Sequence, residues 1–195
     1  MMKELSAWSV AAVVPTMGGA FGGVIAGSGG RLYAEQYYKL AYGRPLGDQV
    51  NVGLGFSYAS RRAQGYERQG AMAVNGGLLC RLAEHVRAGF HVFYPAGNWM
   101  PVVGTAGITY DASVHCSLSM ELRKEGTAAP VAVGVLEYRP VKYFGCMLGV
   151  ATRPQLHYAG FNCVKGRIRA GLTGSYHPQL GITPNMMIVW QQRAY

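Results

Sequence analysis

The amino-acid sequence predicts an all-β fold, an antiparallel up-and-down transmembrane β-barrel. Three observations predict it. Apolar residues alternate with small or polar ones at a period of two along most of the chain. The composition is apolar and charge-poor, yet no apolar run reaches the ~18 residues of a transmembrane helix. The connections between apolar segments alternate between short and long.

The alternation is plainest in Val86–Tyr94, where Val86, Ala88, Phe90, Val92 and Tyr94 share one parity and Arg87, Gly89, His91 and Phe93 the other. A strand sends alternate side chains to opposite faces, so one face is greasy and the other mostly small or polar. Its nine residues match what a tilted strand needs to cross a bilayer. Of the 195 residues, 50% are hydrophobic and 14% charged, against roughly a quarter charged in a soluble domain. With 28 Gly and 13 Tyr, the composition suits a membrane barrel better than a helical membrane protein. A soluble all-β barrel or sandwich is the alternative.

The elements follow in order. Ser6–Val14 is apolar and β-branched, and Pro15 is expected to end it. Ala20–Gly27 returns after Met17-Gly18-Gly19, and Tyr33–Gly43 follows the loop Ser28-Gly29-Gly30. Arg44-Pro45-Leu46-Gly47-Asp48 has the Pro, Gly and Asp of a reversal. Val50–Ala59 alternates almost without fault, and Ser60–Gln69 reads as a hydrophilic loop. Ala71–Leu82, Val86–Tyr94, Val103–Tyr110 and Val114–Leu122 are next, with a tight turn expected at Asp111-Ala112-Ser113. Val131–Tyr138, Tyr143–Ala151, His157–Val164, Arg167–Tyr176 and Asn185–Gln191 complete the set. The total is about thirteen strands of about eight to twelve residues in one domain spanning 1–195.

Connections near Met17, Leu46, Glu84, Ala112, Pro140 and Lys165 are short. Those near Gly29, Gln64, Asn98, Gly126, Pro154 and Leu180 are mostly longer and more polar. Bacterial barrels have short periplasmic turns and longer outside loops, so the short set and the C-terminus are assigned to the periplasm. Thirteen is an odd count where single-chain bacterial barrels are even. The expectation is therefore a parent barrel of about fourteen strands. Met1-Met2-Lys3-Glu4 carries no signal-peptide pattern, so an upstream signal and N-terminal segment are expected to be missing.

The net charge is +9, but Lys and Arg are dispersed near strand ends and in connections, in no stripe or cluster. That distribution argues against nucleic-acid binding and for strand-end anchoring at anionic head groups. Cys80, Cys116, Cys146 and Cys163 all take the apolar parity on different strands, where they act as small hydrophobes. No zinc spacing, catalytic constellation or cofactor motif is legible. The paired glycines near Gly18, Gly22 and Gly29 precede no helix, which removes the phosphate-loop reading. The expectation is no enzyme and no cofactor. Candidate lumen residues are Arg81, Arg87, His91, His115, Glu121, Glu137, Arg167 and Arg169. The four arginines would form a cationic ring near the short turns, or be neutralised by nearby acids. Candidate outside-loop contacts are Arg61, Arg62, Trp99, Arg123 and Lys124. Aromatics such as Trp8, Tyr33, Tyr58, Tyr94, Tyr143 and Trp190 cluster near strand ends, as interfacial girdles do.

Four phrases, Lys39–Asp48 (KLAYGRPLGD), Gly89–Gly97 (GFHVFYPAG), Leu136–Val141 (LEYRPV) and Ser175–Pro184 (SYHPQLGITP), carry a family resemblance. In that order they resemble Bacteroidota outer-membrane barrels of the PorV and PorQ type, distantly like the FadL fatty-acid channel. The resemblance runs from about Lys3 to Trp190 and implies a barrel of about fourteen strands behind a signal peptide. It implies a structural or docking role beside type 9 secretion-like envelope proteins, in the outer membrane and in contact with its lipid. The FadL-like alternative implies a channel for hydrophobic small molecules. A soluble lipid-binding barrel is the third reading.

Overall fold

The computed structural model describes residues 6–30, 32–97, 100–179 and 181–191, and among these there are strands and no helix. The thirteen strands are β1 (Ala7–Thr16), β2 (Gly19–Gly29), β3 (Tyr33–Leu46), β4 (Val50–Ala63), β5 (Gln69–Ala83), β6 (Val86–Ala96) and β7 (Val103–Ser113). Then come β8 (Cys116–Glu125), β9 (Val131–Val141), β10 (Phe144–Thr152), β11 (Gln155–Lys165), β12 (Ile168–His177) and β13 (Gly181–Trp190). Their ladder order is their chain order, an antiparallel meander from β1 to β13. The fold is therefore all-β and up-and-down, as the period of two predicts.

The strands run longer than their apolar stretches. β3 continues through Pro45 to Leu46, β4 reaches Ala63 instead of Ala59, and β8 reaches Glu125. The backbone goes on pairing where the side chains turn polar: Glu35 sits opposite Arg61, and Arg61 opposite Gln69. Such cross-strand pairs stabilise the extended ends. Pro15 does not end β1. That strand is terminal in the ladder order, where a residue without an N–H is tolerated.

The turn predicted at Asp111-Ala112-Ser113 lies instead at Val114-His115, and the one placed at Arg139–Lys142 lies at Lys142-Tyr143. At the Gly166-Arg167 turn Gly166 has φ 61°, a conformation that glycine adopts without strain. The short and long connections alternate except at two places: the connections on either side of β3 are both three residues, and Arg153-Pro154 is a two-residue turn in the set expected to be longer.

The chain divides into two compact units. The first holds β1–β5 with most of β6. Its ladders align Val10–Ile25–Tyr38–Tyr58–Met72 in one row and Ala12–Gly23–Leu40–Phe56–Val74 in the next. On the other face run Ala11–Val24–Lys39–Ser57–Ala73 and Val13–Gly22–Ala41–Gly55–Asn75. The second unit holds β8–β13 with most of β7. One face carries Cys116–Tyr138–Cys146–Phe161–Leu172–Met186 and Leu118–Leu136–Leu148–Ala159. The opposite face carries Ser117, Glu137, Met147, Gly160 and Thr173 in register.

Parts of the small-residue face are crowded. A Cβ on Gly55 would stand 2.8 Å from the Leu40 carbonyl and 3.0 Å from the Ala41 methyl. One on Gly160 would stand 2.4 Å from the Thr173 methyl. The small-residue face is thus closed to larger side chains at these points. Gly27 differs, because the Trp8 ring lies across it at 2.9 Å from such a Cβ. There the aromatic neighbour fills the space that the glycine leaves.

Gly55→Ala is expected to destabilise the fold by about 1–3 kcal/mol, because rigid backbone and a methyl oppose the added carbon. Gly76→Ala meets nothing within 4 Å. It should be neutral or stabilising by up to about 1 kcal/mol, since a strand-interior glycine carries an entropy cost. Urea unfolding of the two variants, followed by far-UV circular dichroism, checks the contrast.

Candidate functional site: the apolar face and the charged strand ends

Among the described residues no large side chain is fully buried, and the buried hydrophobic residues are Ala71, Ala73 and Ala151. The buried polar ones are Ser57, Ser60 and Asn75. The large apolar side chains lie open: Leu40 is 72% exposed, Phe56 70%, Met72 70% and Leu148 60%. A water-soluble sheet protein buries its large apolar face and exposes the polar one. Here the sides are exchanged. The nearest cause in the sequence is the parity of Leu54, Phe56 and Tyr58 against Gly55, Ser57 and Ala59.

Polar groups on the small-residue face satisfy one another locally. The Asn75 amide donates to Ser57 Oγ at 3.0 Å, while Asn75 Oδ1 is buried without a partner. Thr109 and Ser119 share a hydrogen bond of 3.0 Å between β7 and β8. Neither Asn75 nor this hydroxyl pair stood out in the sequence. Short polar residues between glycines carry no motif.

The candidate lumen residues are placed as follows. Arg87, in β6, pairs with Asp111 at 3.1 Å, and Glu137 in β9 accepts from Arg139 two positions on at 2.7 Å. Both partners, Asp111 and Arg139, lie outside the candidate set, and of the four arginines Arg87 alone has an ion pair among the described residues. His91 lies in β6 near Gly77. Glu121, in β8, and Arg81, in β5, are exposed. Arg169, in β12, is half-buried, and its Nε has no partner. His115 and Arg167 do not point inward from strands as expected, since both sit in two-residue turns. His115 Nδ1 lies 2.8 Å from the Arg139 carbonyl and donates to it when protonated there.

The outside-loop residues are also corrected. Arg61 and Arg62 lie in β4, and Arg123 and Lys124 in β8, because the ladders extend beyond the apolar band. Arg61 Nε donates to Gln69 Oε1 at 2.8 Å and Lys124 Nζ to the Ala128 carbonyl at 2.6 Å. Trp99 lies outside the described residues. A residue not nominated, Arg68, ties the loop back to β3 and β4 through Gln36 at 3.2 Å and Ser60 at 3.0 Å. Tyr33 donates to Glu35 at the same end of β3.

All four cysteines are free thiols. Cys116 and Cys146 both stand opposite Tyr138 on the apolar face, and Cys163 opposite Phe144. Among the described residues no group of three His, Cys, Asp or Glu could hold a metal. The first unit has an open apolar hollow of about 910 Å³. It is lined chiefly from the large-residue face, by Ile25, Tyr38, Leu40, Phe56, Met72 and Tyr94 among others.

No family model matches the chain, and no curated protein is similar to it. Among solved structures it is similar to variants of the porin of Rhodobacter blastica. One with three substitutions and one with five each superpose with a TM-score of 0.54 at 8% identity, over 93% of this chain and 88% of the porin. At that identity the likeness concerns the fold alone: this chain has the up-and-down strand meander of a porin barrel.

Proposed function

We propose that this chain is a non-enzymatic outer-membrane β-barrel of a Gram-negative bacterium. In this reading it is a structural or docking component of a cell-envelope assembly, in the manner of the PorV and PorQ type. The observation that carries the membrane reading is the exchange of faces: large apolar side chains open, small and polar ones covered. In water such a surface would drive aggregation. In a bilayer it meets hydrocarbon, and hydrogen bonding to neighbours on both sides satisfies the backbone of β2 to β12.

The docking role rests on the family resemblance of the four phrases and on the absence of a catalytic constellation in the sequence. The short turns are assigned to the periplasm. A parent barrel of about fourteen strands is part of the proposal. In an order of thirteen antiparallel neighbours, the first and last strands run the same way. One further strand would let every ladder remain antiparallel.

A second reading, a FadL-like path for hydrophobic small molecules, is the alternative that the same resemblance implies. Release of a fluorescent fatty acid from vesicles bearing the chain distinguishes the two. Transport supports the channel, and a stable co-purifying envelope protein with no transport supports docking.

Phe56→Arg and Leu148→Arg are each expected to weaken folding into phosphatidylcholine vesicles by about 2–4 kcal/mol if they lie near the bilayer midplane. For a soluble barrel the same exposed positions would change stability by less than ~0.5 kcal/mol. Urea titration in vesicles reads the difference, and near-neutral values at both sites refute the membrane reading. In cell fractionation the chain should stay with the membrane pellet through high salt and leave it only in detergent. Release by salt alone would contradict integral insertion.

A further inference from the structure

In the second unit, the end bearing the Lys142-Tyr143 and Gly166-Arg167 turns is basic in an unusual way. From Gly126 to the C-terminus Glu137 is the sole acid, against Arg139, Lys142, Arg153, Lys165, Arg167, Arg169 and Arg193. That one carboxylate is already occupied by Arg139 at 2.7 Å. No ion pair engages Lys142, Lys165 or Arg167 among the described residues. The two turns are neighbours, because the Val164 amide donates to the Tyr143 carbonyl at 2.8 Å. The Gln191 amide donates to the Arg167 carbonyl at 2.8 Å, which fixes the end of β13 beside the same turn.

These cations stand at the head of an apolar strip. Lys165 shares the parity of Phe161 and Cys163, so it belongs to the apolar face, and the ladder sets it in a row with Ile168 and Trp190. The next row inward is Phe144–Cys163–Ala170–Ile188. Trp190 is 63% exposed and Ile188 66%, while Tyr143 stands open beside Lys142. Cations at a rim, amphipathic aromatics at the same level and an uninterrupted apolar strip beyond match the three parts of one ligand. They would meet a phosphate, a glycerol–ester zone and acyl chains.

We propose that this rim is a binding site for an anionic phospholipid, with Lys142, Lys165 and Arg167 on the head-group phosphate and the acyl chains along Ile168, Trp190 and Ile188. The inference rests on the membrane reading above. It goes further, because a barrel in lipid needs no preference for any head group. Among the described residues these three cations have no carboxylate partner, so their charge is left for an external anion, and each adds attraction at the membrane surface.

Trp190 supplies the probe. In a chain carrying Trp8→Phe and Trp99→Phe, its fluorescence is quenched by brominated acyl chains alongside it. The measurement compares brominated phosphatidylglycerol with brominated phosphatidylcholine in vesicles of the full chain. The expected result is selective association of phosphatidylglycerol at Trp190, falling about fivefold for each of Lys142→Gln, Lys165→Gln and Arg167→Gln. Arg62→Gln with Lys124→Gln, at the opposite strand ends, should leave it unchanged. Equal quenching by the two lipids overturns the site and leaves the membrane reading standing. An equal loss in the Arg62 and Lys124 variant also overturns it, since the preference would then follow net charge. No quenching by either lipid defeats the membrane reading and the site together. Far-UV circular dichroism confirms that each variant keeps its strands.

Discussion

A backbone amide without a partner is costly wherever water is absent, and this constraint governs the whole chain. In hydrocarbon each unpaired N–H or C=O costs several kcal/mol, so spanning segments must be helices or paired strands. A chain with 28 glycines and no long apolar run is a poor helix former. It therefore meets the constraint through ladders: each strand from β2 to β12 has a neighbour on both sides in the order. The ladders also explain why strands outrun their apolar stretches. The hydrogen bonds belong to the backbone, so Glu35, Arg61 and Gln69 pair as readily as Tyr38, Tyr58 and Met72.

This also sets what could be read from the sequence. Faces were legible because parity is set by geometry and because one face is almost uniformly apolar. Val50–Tyr58 names its large-residue face without any knowledge of its neighbours. Strand ends were not legible, since the composition changes at the edge of the apolar band while the pairing continues. The same gap moved Arg61, Arg62, Arg123 and Lys124 from loops to strands, and moved His115 and Arg167 from strands to turns. A one-residue shift of a turn decides whether a side chain has a face at all.

The small-residue face was only half visible. Its glycines and serines were plain in the sequence, but not what they exclude. At Gly55 and Gly160 the crowding arises from residues on neighbouring strands, which register alone brings together. The pairing of Asn75 with Ser57 has the same origin. It joins residues on strands whose alignment no local pattern specifies. Charge partners behave likewise. Arg87 and Glu137 were recognisable as residues needing neutralisation, whereas Asp111 and Arg139 emerged only from the fold.

Exposed ion pairs add little to stability, typically under about 1 kcal/mol, so their distribution is better read as a map of where charge remains. In the first part of the chain acids lie near bases, as Glu35 does opposite Arg61. Beyond Gly126 the acids run out, and Glu137 serves one arginine only. Folding alone gives no reason for that imbalance, because cations crowded without counter-charges repel one another. The repulsion is relieved if the counter-charge comes from outside the chain, at a membrane surface. An excess of cations at one rim, bordered by Trp190 and Tyr143 and by an open apolar face, then becomes a property of the protein together with its lipid.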